Sequence, residues 1–173
     1  SSAAFFLVAA AITPGSNLTL QHVGVNPTRI GIINLLRDMG ANIESSNERL
    51  VGGEPVADLR VCYRPLKGIV ISEAQIPLAI DEFPVLFVAA ACAEGETLLR
   101  GAQELRVKES DRLDAMAQGL AKLGVVVETF DDGIKITGGQ MGGGAVNSFG
   151  DHRIAMAFTV AGLRCESPID ISN

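Results

Sequence analysis

Three stretches of the chain are apolar at almost every position. They are "FLVAAA" (Phe6–Ala11), "LFVAAA" (Leu86–Ala91) and "RIAMAFTVAGL" (Arg153–Leu163). A helix that is apolar on all sides is buried in a core, and alanine is the residue that most favours helix. The pattern therefore predicts three buried, alanine-rich helices.

The first two stretches belong to an internal repeat. They lie eighty positions apart, and in each copy a later segment, "LLRDMGANIES" (35–45) or "GLAKLGVVVET" (119–129), carries its glycine in the same place. A third copy starts at Arg153 and is interrupted by the end of the chain. We therefore expect one domain, residues 1–173, made of three units that start near residues 1, 81 and 153.

Each copy places helical and extended patterns in the same order. A buried helix is followed by a strand, "NLTLQHV" (17–23) or "ETLLRGA" (96–102), and then by an amphipathic helix, a glycine and two strands. This is the order of a βαβαββ unit. Long periods of alternating elements are typical of stacked repeats, so the sequence predicts an α/β fold of βαβαββ units in a pseudo-threefold arrangement.

The second copy contains the clearest amphipathic helix. Leu113, Met116, Leu120 and Leu123 recur at helical spacing, and Gly124 follows where helices commonly end. The sequence therefore predicts a helix that buries this leucine and methionine stripe and stops at Gly124.

Each copy is expected to end in a hairpin. In the second copy "VVVETF" and "GIKITGG" flank "DDG", a typical tight-turn sequence. In the first copy the corresponding strands are "NIESS" and "ADLRVCYR", and the final "PIDISN" reads as another strand. Because the chain starts inside a helix pattern and stops inside a strand pattern, we expect both ends to be cut.

Composition and charge exclude several classes of function. The chain has 173 residues, 47% of them apolar, and a formal net charge of −6. Nucleic-acid-binding surfaces are basic, so general binding to DNA or RNA is not expected. No apolar run approaches the roughly 20 residues of a membrane span. The sequence thus predicts a soluble protein with no membrane segment.

The cysteines and histidines argue against disulfide and metal chemistry. Cys62, Cys92 and Cys165 are odd in number and have apolar neighbours, which favours unreactive thiols in the reducing cytoplasm. His22 and His152 are the only histidines, and neither belongs to a zinc-binding motif. We therefore expect no metal site.

One short segment concentrates charge. "LRVKESDRL" (Leu105–Leu113) holds five charged residues within seven positions, and the second copy is four residues longer here than the first. The repeat aligns Asn26-Pro27, an N-cap followed by proline, with Ser110-Asp111. The charged segment is therefore expected to straddle the N-terminus of a helix.

A helix N-terminus attracts anions, and the charged segment would add to that attraction. Arg112 would offer a planar fork, Lys108 a point charge, and Glu109 a carboxyl whose proton affinity the cations tune. Taken alone, the segment is also compatible with a solvated loop that contains internal ion pairs.

Polar groups also mark the starts of the three buried helices. The repeat sets Ser1 opposite Asp81, and the third copy sets Arg153 at the same place, directly after Asp151 and His152. If the units pack with threefold symmetry, these helix starts meet at one end of the domain.

Asp81 and Glu109 would then face Arg112 and Arg153. Two arginines, a lysine and two carboxyls suit a multiply anionic substrate and proton transfer. A serine nucleophile motif is absent, and the glycine-rich stretch 138–144 lacks the lysine of a phosphate-binding loop, which favours turns.

The segments "SSAAFFLVAAA", "IDEFPVLFVAAACAEGETLLRGAQELRVKESDRL" and "GDHRIAMAF" resemble the 5-enolpyruvylshikimate-3-phosphate (EPSP) synthase family. The resemblance covers nearly all of the chain and corresponds to the family's C-terminal half. It implies two similar domains, each an inside-out α/β barrel of three βαβαββ units, with helix N-termini pointing into the cleft between them. The N-terminal domain and the extreme C-terminus, with its lysine, are expected to be absent here.

The resemblance implies an enolpyruvyl transfer. Phosphoenolpyruvate would give its enolpyruvyl group to the 5-hydroxyl of shikimate 3-phosphate with release of phosphate, in the shikimate pathway to aromatic amino acids. No cofactor is implied. The partners would be the two substrates and the missing N-terminal domain, in a monomeric cytoplasmic enzyme that is the target of glyphosate. The chain alone is expected to be inactive.

Five residues receive roles from the resemblance. Asp81 would hold the shikimate hydroxyls and accept the proton of the attacking one, and Glu109 would protonate the methylene carbon of phosphoenolpyruvate. Arg112 and Arg153 would grip phosphoenolpyruvate, and Lys108 would contact the shikimate part.

Four neighbouring residues are less determined. Asp151 and His152 are expected to support Arg153. Some members of the family have asparagine where Glu104 stands here, which leaves its ligand contact open. Arg106 receives no role.

Two rival interpretations remain at this point. The sister enzyme UDP-N-acetylglucosamine enolpyruvyl transferase shares fold and donor, but it uses a catalytic cysteine and lacks "KESDR". A non-catalytic α/β module would instead bind a nucleotide or a protein through the glycines at 142–144.

Overall fold

The computed structural model describes residues 2–173; Ser1, expected at the first of the equivalent helix starts, lies outside the described residues. The helices are α1 (Ala3–Ile12), α2 (Gly31–Asp38), α3 (Ile76–Ala79), α4 (Phe83–Cys92), α5 (Arg112–Lys122) and α6 (His152–Ala161). The strands are β1 (Asn17–Gly24), β2 (Asn42–Val51), β3 (Glu54–Cys62), β4 (Glu96–Leu99), β5 (Val126–Phe130), β6 (Gly133–Thr137), β7 (Gly144–Asn147) and β8 (Ile169–Ser172). The protein is α/β, as predicted.

The strands form three small sheets. Two of them share one topology, with the strand orders β1-β3-β2 and β4-β6-β5, and all of their pairs are antiparallel. The third sheet pairs β7 with β8 in parallel, and α6 lies between them in the chain, as parallel strands require. An extended segment around Val70 bridges β4 in the same parallel sense.

The hairpin of the second copy is confirmed. β5 and β6 are joined by Asp131-Asp132, with Phe130 opposite Gly133. A Cβ atom on Gly133 would lie 1.8 Å from the backbone oxygen of Leu99, so only glycine allows β6 to approach β4 this closely.

The hairpin of the first copy is longer than predicted. Val51 pairs with Glu54 around a turn at Gly52-Gly53, both of which have positive φ. The sequence pattern missed residues 47–51 because β2 is exposed at nearly every position, so no alternation of apolar and polar residues marks it.

The start of the first amphipathic helix differs from the prediction. Asn26 caps a 3-10 turn, Pro27–Arg29, and accepts a hydrogen bond from the Thr28 amide at 3.0 Å, whereas α2 begins only at Gly31. Gly31 lies so close to the α3 backbone that a Cβ would be 2.6 Å from Leu78. The α-helix therefore starts where the glycine permits contact with α3.

The leucine and methionine stripe of α5 is confirmed. Leu113, Met116, Leu120 and Leu123 are all buried, and the chain leaves the helix at Gly124 with φ 89°. Gly124 thus occupies the left-handed position that commonly ends a helix.

The alanine-rich helices α1, α4 and α6 pack against one another in the centre of the domain. Ala89, Ala90 and Ala91 of α4 are completely buried, and their small side chains let neighbouring backbones approach. By length and composition alone the helical stretch Glu73–Cys92 could cross a membrane, which the sequence pattern had not indicated. Most of it is buried, as in the core helix of a globular protein.

The three core helices point the same way. At one end, Arg153 donates to the backbone oxygen of Asp81 at 3.2 Å, and Ser2 and Glu82 line a common cavity. At the other end, Arg164, just beyond α6, donates to the last carbonyl of α1, at Ile12. The N-termini of α1, α4 and α6 therefore share one end of the domain.

The contact between α5 and α6 predicts an unusual effect of alanine. Alanine normally stabilises a helix interior by about 1 kcal/mol relative to glycine. A Cβ on Gly119, however, would lie 2.1 Å from Cζ of the buried Phe158. We expect Gly119→Ala to lower the free energy of unfolding by about 1–3 kcal/mol in urea denaturation.

The matched control is Gly139→Ala, because a Cβ there meets no atom within 4 Å. It should change the free energy of unfolding by less than about 0.5 kcal/mol. A more stable Gly119→Ala variant would contradict the packing of α5 on α6.

Candidate active site

The charged segment lies next to the N-termini of the core helices. It forms a 3-10 turn, Gln103–Val107, and then runs irregularly to α5. Asp111 is the N-cap of α5, and its Oδ1 accepts from the Asp114 amide at 3.1 Å. Ser110, expected to help start the helix, instead donates its hydroxyl to Asp151 Oδ2 at 2.9 Å. The hydroxyl turns away from α5 because the buried carboxylate is a stronger acceptor.

A buried ion pair connects the starts of α5 and α6. Arg112 and Asp151 are only 2% and 0% exposed. Arg112 donates from Nε to Asp151 Oδ2 at 2.8 Å and from Nη2 to Oδ1 at 3.4 Å. Burial favours a raised pKa for Asp151, but the hydrogen bonds from Arg112 and Ser110 outweigh it and hold that pKa below its usual range.

The sequence had suggested that Asp151 and His152 support the Arg153 side chain, but neither forms a hydrogen bond or an ion pair with it. Asp151 caps α6. From Arg153 it accepts only the backbone N–H, at 3.0 Å, because its carboxylate is directed at Arg112. His152 Nδ1 lies 3.0 Å from Glu109 Oε2, and both side chains are more than half exposed. Asp151 therefore pairs with Arg112, and His152 contacts Glu109.

Asp81 lies between two cations. Its Oδ1 is 3.3 Å from Arg112 Nη1 and 3.5 Å from Lys108 Nζ. Lys108 also binds Glu104 at 2.8 Å, and this hydrogen bond is the main reason that the pKa of Lys108 lies above its usual value. Glu104, for which the sequence left a contact with the ligand open, thus binds Lys108. Arg112 also lies 4.0 Å from Glu109.

Arg153, unlike Lys108 and Arg112, has no acidic partner among the described residues. Within residues 2–173 no carboxylate lies within 4.0 Å of its guanidinium, whose Nη1 binds only the Asp81 carbonyl. Glu82, which the sequence analysis did not select, lies in the same region. Burial raises the pKa of its carboxyl, and the Arg153 charge opposes the shift. In the sequence, the only signal for Glu82 was its position directly before an apolar helix.

The site is poorly suited to a metal ion. Glu109, Asp151 and His152 place three ligand atoms within 4.8 Å of one another, the only such group in the described part of the chain. Both Asp151 oxygens, however, already accept hydrogen bonds from Arg112. A guanidinium in this position repels a cation, so the group fits an ion-pair network better than a metal centre.

The rival interpretations gain little support. Burial raises the pKa of the Cys92 thiol to about 11 and also raises that of Cys165, which makes both poor nucleophiles. In the glycine-rich stretch the amides of Gly142 and Gly144 donate to the carbonyls of Leu123 and Pro168. Those amides are therefore not free to bind a phosphate.

Fold and site together define an α/β domain that presents cations and carboxyls at the N-terminal ends of its core helices. A family model described as EPSP synthase (3-phosphoshikimate 1-carboxyvinyltransferase) matches residues 1–173. The chain belongs to the EPSP synthase family.

Individual relatives support this assignment. A 3-phosphoshikimate 1-carboxyvinyltransferase of Alkalilimnicola ehrlichii is 66% identical over 174 residues, which cover 100% of this chain and 39% of that protein. An EPSP synthase structure from Acinetobacter baumannii matches 98% of this chain and 40% of that chain at a TM-score of 0.96 and 55% identity. The enolpyruvyl transferase NikO from Streptomyces tendae shares the fold, with a TM-score of 0.70 and 19% identity over 95% of this chain and 36% of that one. The chain thus spans about two fifths of its relatives' length.

The buried pair leads to a prediction about stability. Asp151→Asn leaves the Arg112 charge buried without its partner, so we expect a loss of about 3–5 kcal/mol in the free energy of unfolding at pH 7, measured with urea. The pKa of Asp151 is lowered by folding. Its contribution should therefore be complete above the unfolded value of about 3.9 and disappear as pH falls through the folded value.

Glu44→Gln is the control, because it removes the carboxylate of an exposed pair with Arg60. Its effect should be far smaller. Equal losses from both substitutions, or a loss from Asp151→Asn that persists in strong acid, would contradict the assigned role of the buried pair.

Proposed function

We propose that this chain is one domain of an EPSP synthase and supplies the catalytic carboxyls of that enzyme. The reaction is transfer of the enolpyruvyl group of phosphoenolpyruvate to the 5-hydroxyl of shikimate 3-phosphate, with release of phosphate. The chain is one domain of three units starting near residues 1, 81 and 153. The carrying observation is that Asp81 joins two arginines: its carbonyl accepts from Arg153 Nη1 at 3.2 Å, and its Oδ1 lies 3.3 Å from Arg112 Nη1.

The phosphoenolpyruvate end of the site is cationic. Arg153 and Arg112 bind the carboxylate and phosphate of the donor, because guanidinium groups form paired hydrogen bonds with such anions. Asp151 prevents Arg112 from rotating away, since it holds Nε and Nη2 and leaves Nη1 toward Asp81.

Proton transfer involves two carboxyls. Asp81 accepts the proton of the 5-hydroxyl while the oxygen of that hydroxyl attacks C2 of phosphoenolpyruvate. Glu109 donates a proton to the C3 methylene. The resulting tetrahedral intermediate loses phosphate, and C3 returns a proton. Lys108 contacts the shikimate part and lies 3.5 Å from Asp81, where it stabilises the ionised base.

The remaining three fifths of the relatives' length provide the second half of the site. The working enzyme pairs this domain with an N-terminal domain that binds the shikimate phosphate. We place it in the cytoplasm as a monomer that requires no cofactor and is inhibited by glyphosate.

A chimera tests the function directly. In it, this chain replaces the matching 39% of the Alkalilimnicola ehrlichii relative. We expect phosphate release from the two substrates at a rate within about tenfold of the unaltered relative, and none from the isolated chain. Turnover by the isolated chain, or an inactive chimera beside an active relative, would reject the proposal.

Asp81→Asn in the chimera tests the proposed base. The amide keeps the size of the side chain but cannot accept the proton, so kcat should fall at least about a hundredfold. Glu128→Gln, which changes an exposed pair with Lys135 on the second sheet, should leave kcat unchanged. Full activity of Asp81→Asn together with saturable binding of ATP in calorimetry would favour the non-catalytic module.

A further inference from the structure

Arg106 is the one cation of the charged segment without a role in the proposed reaction, and its guanidinium is fully engaged. Nε donates to the carbonyl of Asp131 at 2.8 Å, and Nη2 donates to the carbonyl of Phe130 at 2.7 Å. Nη1 donates to Asp111 Oδ2 at 2.8 Å. Each nitrogen of the fork thus has a partner.

These contacts join two separate elements. Phe130 and Asp131 belong to the turn of the β5–β6 hairpin, whereas Asp111 is the N-cap of α5. Asp111 uses one oxygen for Arg106 and the other for the Asp114 amide. Arg106 therefore connects the hairpin turn to the first turn of α5.

The hairpin turn provides a firm anchor. Asp132 binds Arg100 Nε at 2.7 Å and the Gly101 amide at 3.0 Å. The Arg100 guanidinium lies over the Phe130 ring, 4.4 Å from its centroid. The turn is consequently held from the residues directly after β4 as well as by its own strand pairing.

The loop closed by the contact between Arg106 and Asp111 carries two proposed functional groups. Lys108 and Glu109 lie between Arg106 and Asp111, in residues that belong to no helix or strand. Side-chain contacts hold Lys108 to Glu104, Glu109 to His152 and Ser110 to Asp151, but the backbone of this loop has no pairing of its own and is fixed mainly at its two ends. Arg112 is different, because Asp151 holds it independently.

We propose that Arg106 is a positioning residue that acts through Asp111 to fix Lys108 and Glu109 for catalysis. The inference rests on the proposed function. Releasing the loop displaces the shikimate contact and the proton donor but leaves the Arg112 and Arg153 grip on phosphoenolpyruvate in place. Small displacements of positioned groups cost large factors in rate.

The test compares two arginine variants of the chimera. Arg106→Lys keeps the charge but cannot form the three-way link. Arg100→Lys removes one contact of the same hairpin turn and does not touch Asp111, while the β5–β6 pairing and the bonds of Asp132 to the Gly101 and Ala102 amides still hold the turn. For Arg106→Lys we expect kcat to fall about tenfold and KM for shikimate 3-phosphate to rise about fivefold, with KM for phosphoenolpyruvate within about twofold.

The Arg100→Lys variant should leave all three constants within about twofold of the chimera. A smaller folded fraction lowers apparent kcat but cannot raise one KM alone. Loss of kcat alone, equal changes in both KM values, no change, or the same pattern from Arg100→Lys would each overturn the inference.

Amide hydrogen exchange separates this inference from the proposed function. An inactive unsubstituted chimera rejects the function, and exchange still tests the link. Arg106→Lys should speed exchange at Asp114 and Ala115, whose amides bind the side chain and backbone of Asp111. Unchanged exchange at both amides would overturn the role of Arg106.

Discussion

The buried pair between Arg112 and Asp151 is the constraint on which the site depends. Removing both charges from water is costly, and a pair of this kind is stable only when its remaining hydrogen-bonding groups are satisfied. Here Ser110 and the Arg153 amide satisfy them. Because one carboxylate caps α6 and holds the first residue of α5, neither helix can shift without breaking the other's contacts.

That constraint decides how the other charges are distributed. Asp81 is the acidic residue shared by Lys108 and Arg112, yet its distances of 3.5 and 3.3 Å are longer than the 2.8 Å to their nearer partners, Glu104 and Asp151. Such loose contacts can be exchanged for contacts with an anionic ligand at little cost. Arg153 forms no ion pair within the described part of the domain, so it gives none up when it binds an anionic ligand. The site thus combines a rigid buried ion pair with cations that remain available to bind an anionic ligand.

Local periodicity predicted the elements that pack against the core and failed where packing gave no signal. The stripe on α5 and the "DDG" hairpin could be identified because their apolar spacing reflects burial. The outer half of β2 could not, since solvent surrounds it. In the site, Arg112 was found from its place at a helix start. Its pairing with Asp151 and the links made by Arg106 join distant segments, partly through backbone carbonyls, and residue types do not encode such partners.

The common direction of α1, α4 and α6 gives the domain an electrical polarity. Each helix carries a partial positive charge at its N-terminus and a partial negative charge at its C-terminus, and in a parallel bundle these charges add up. The surface potential at the Asp81 end is therefore more positive than the net charge of −6 suggests. The helix dipoles favour an anion at that end, and at the opposite end Arg164 offsets part of the negative pole at Ile12. An acidic protein can in this way favour anions on a single face.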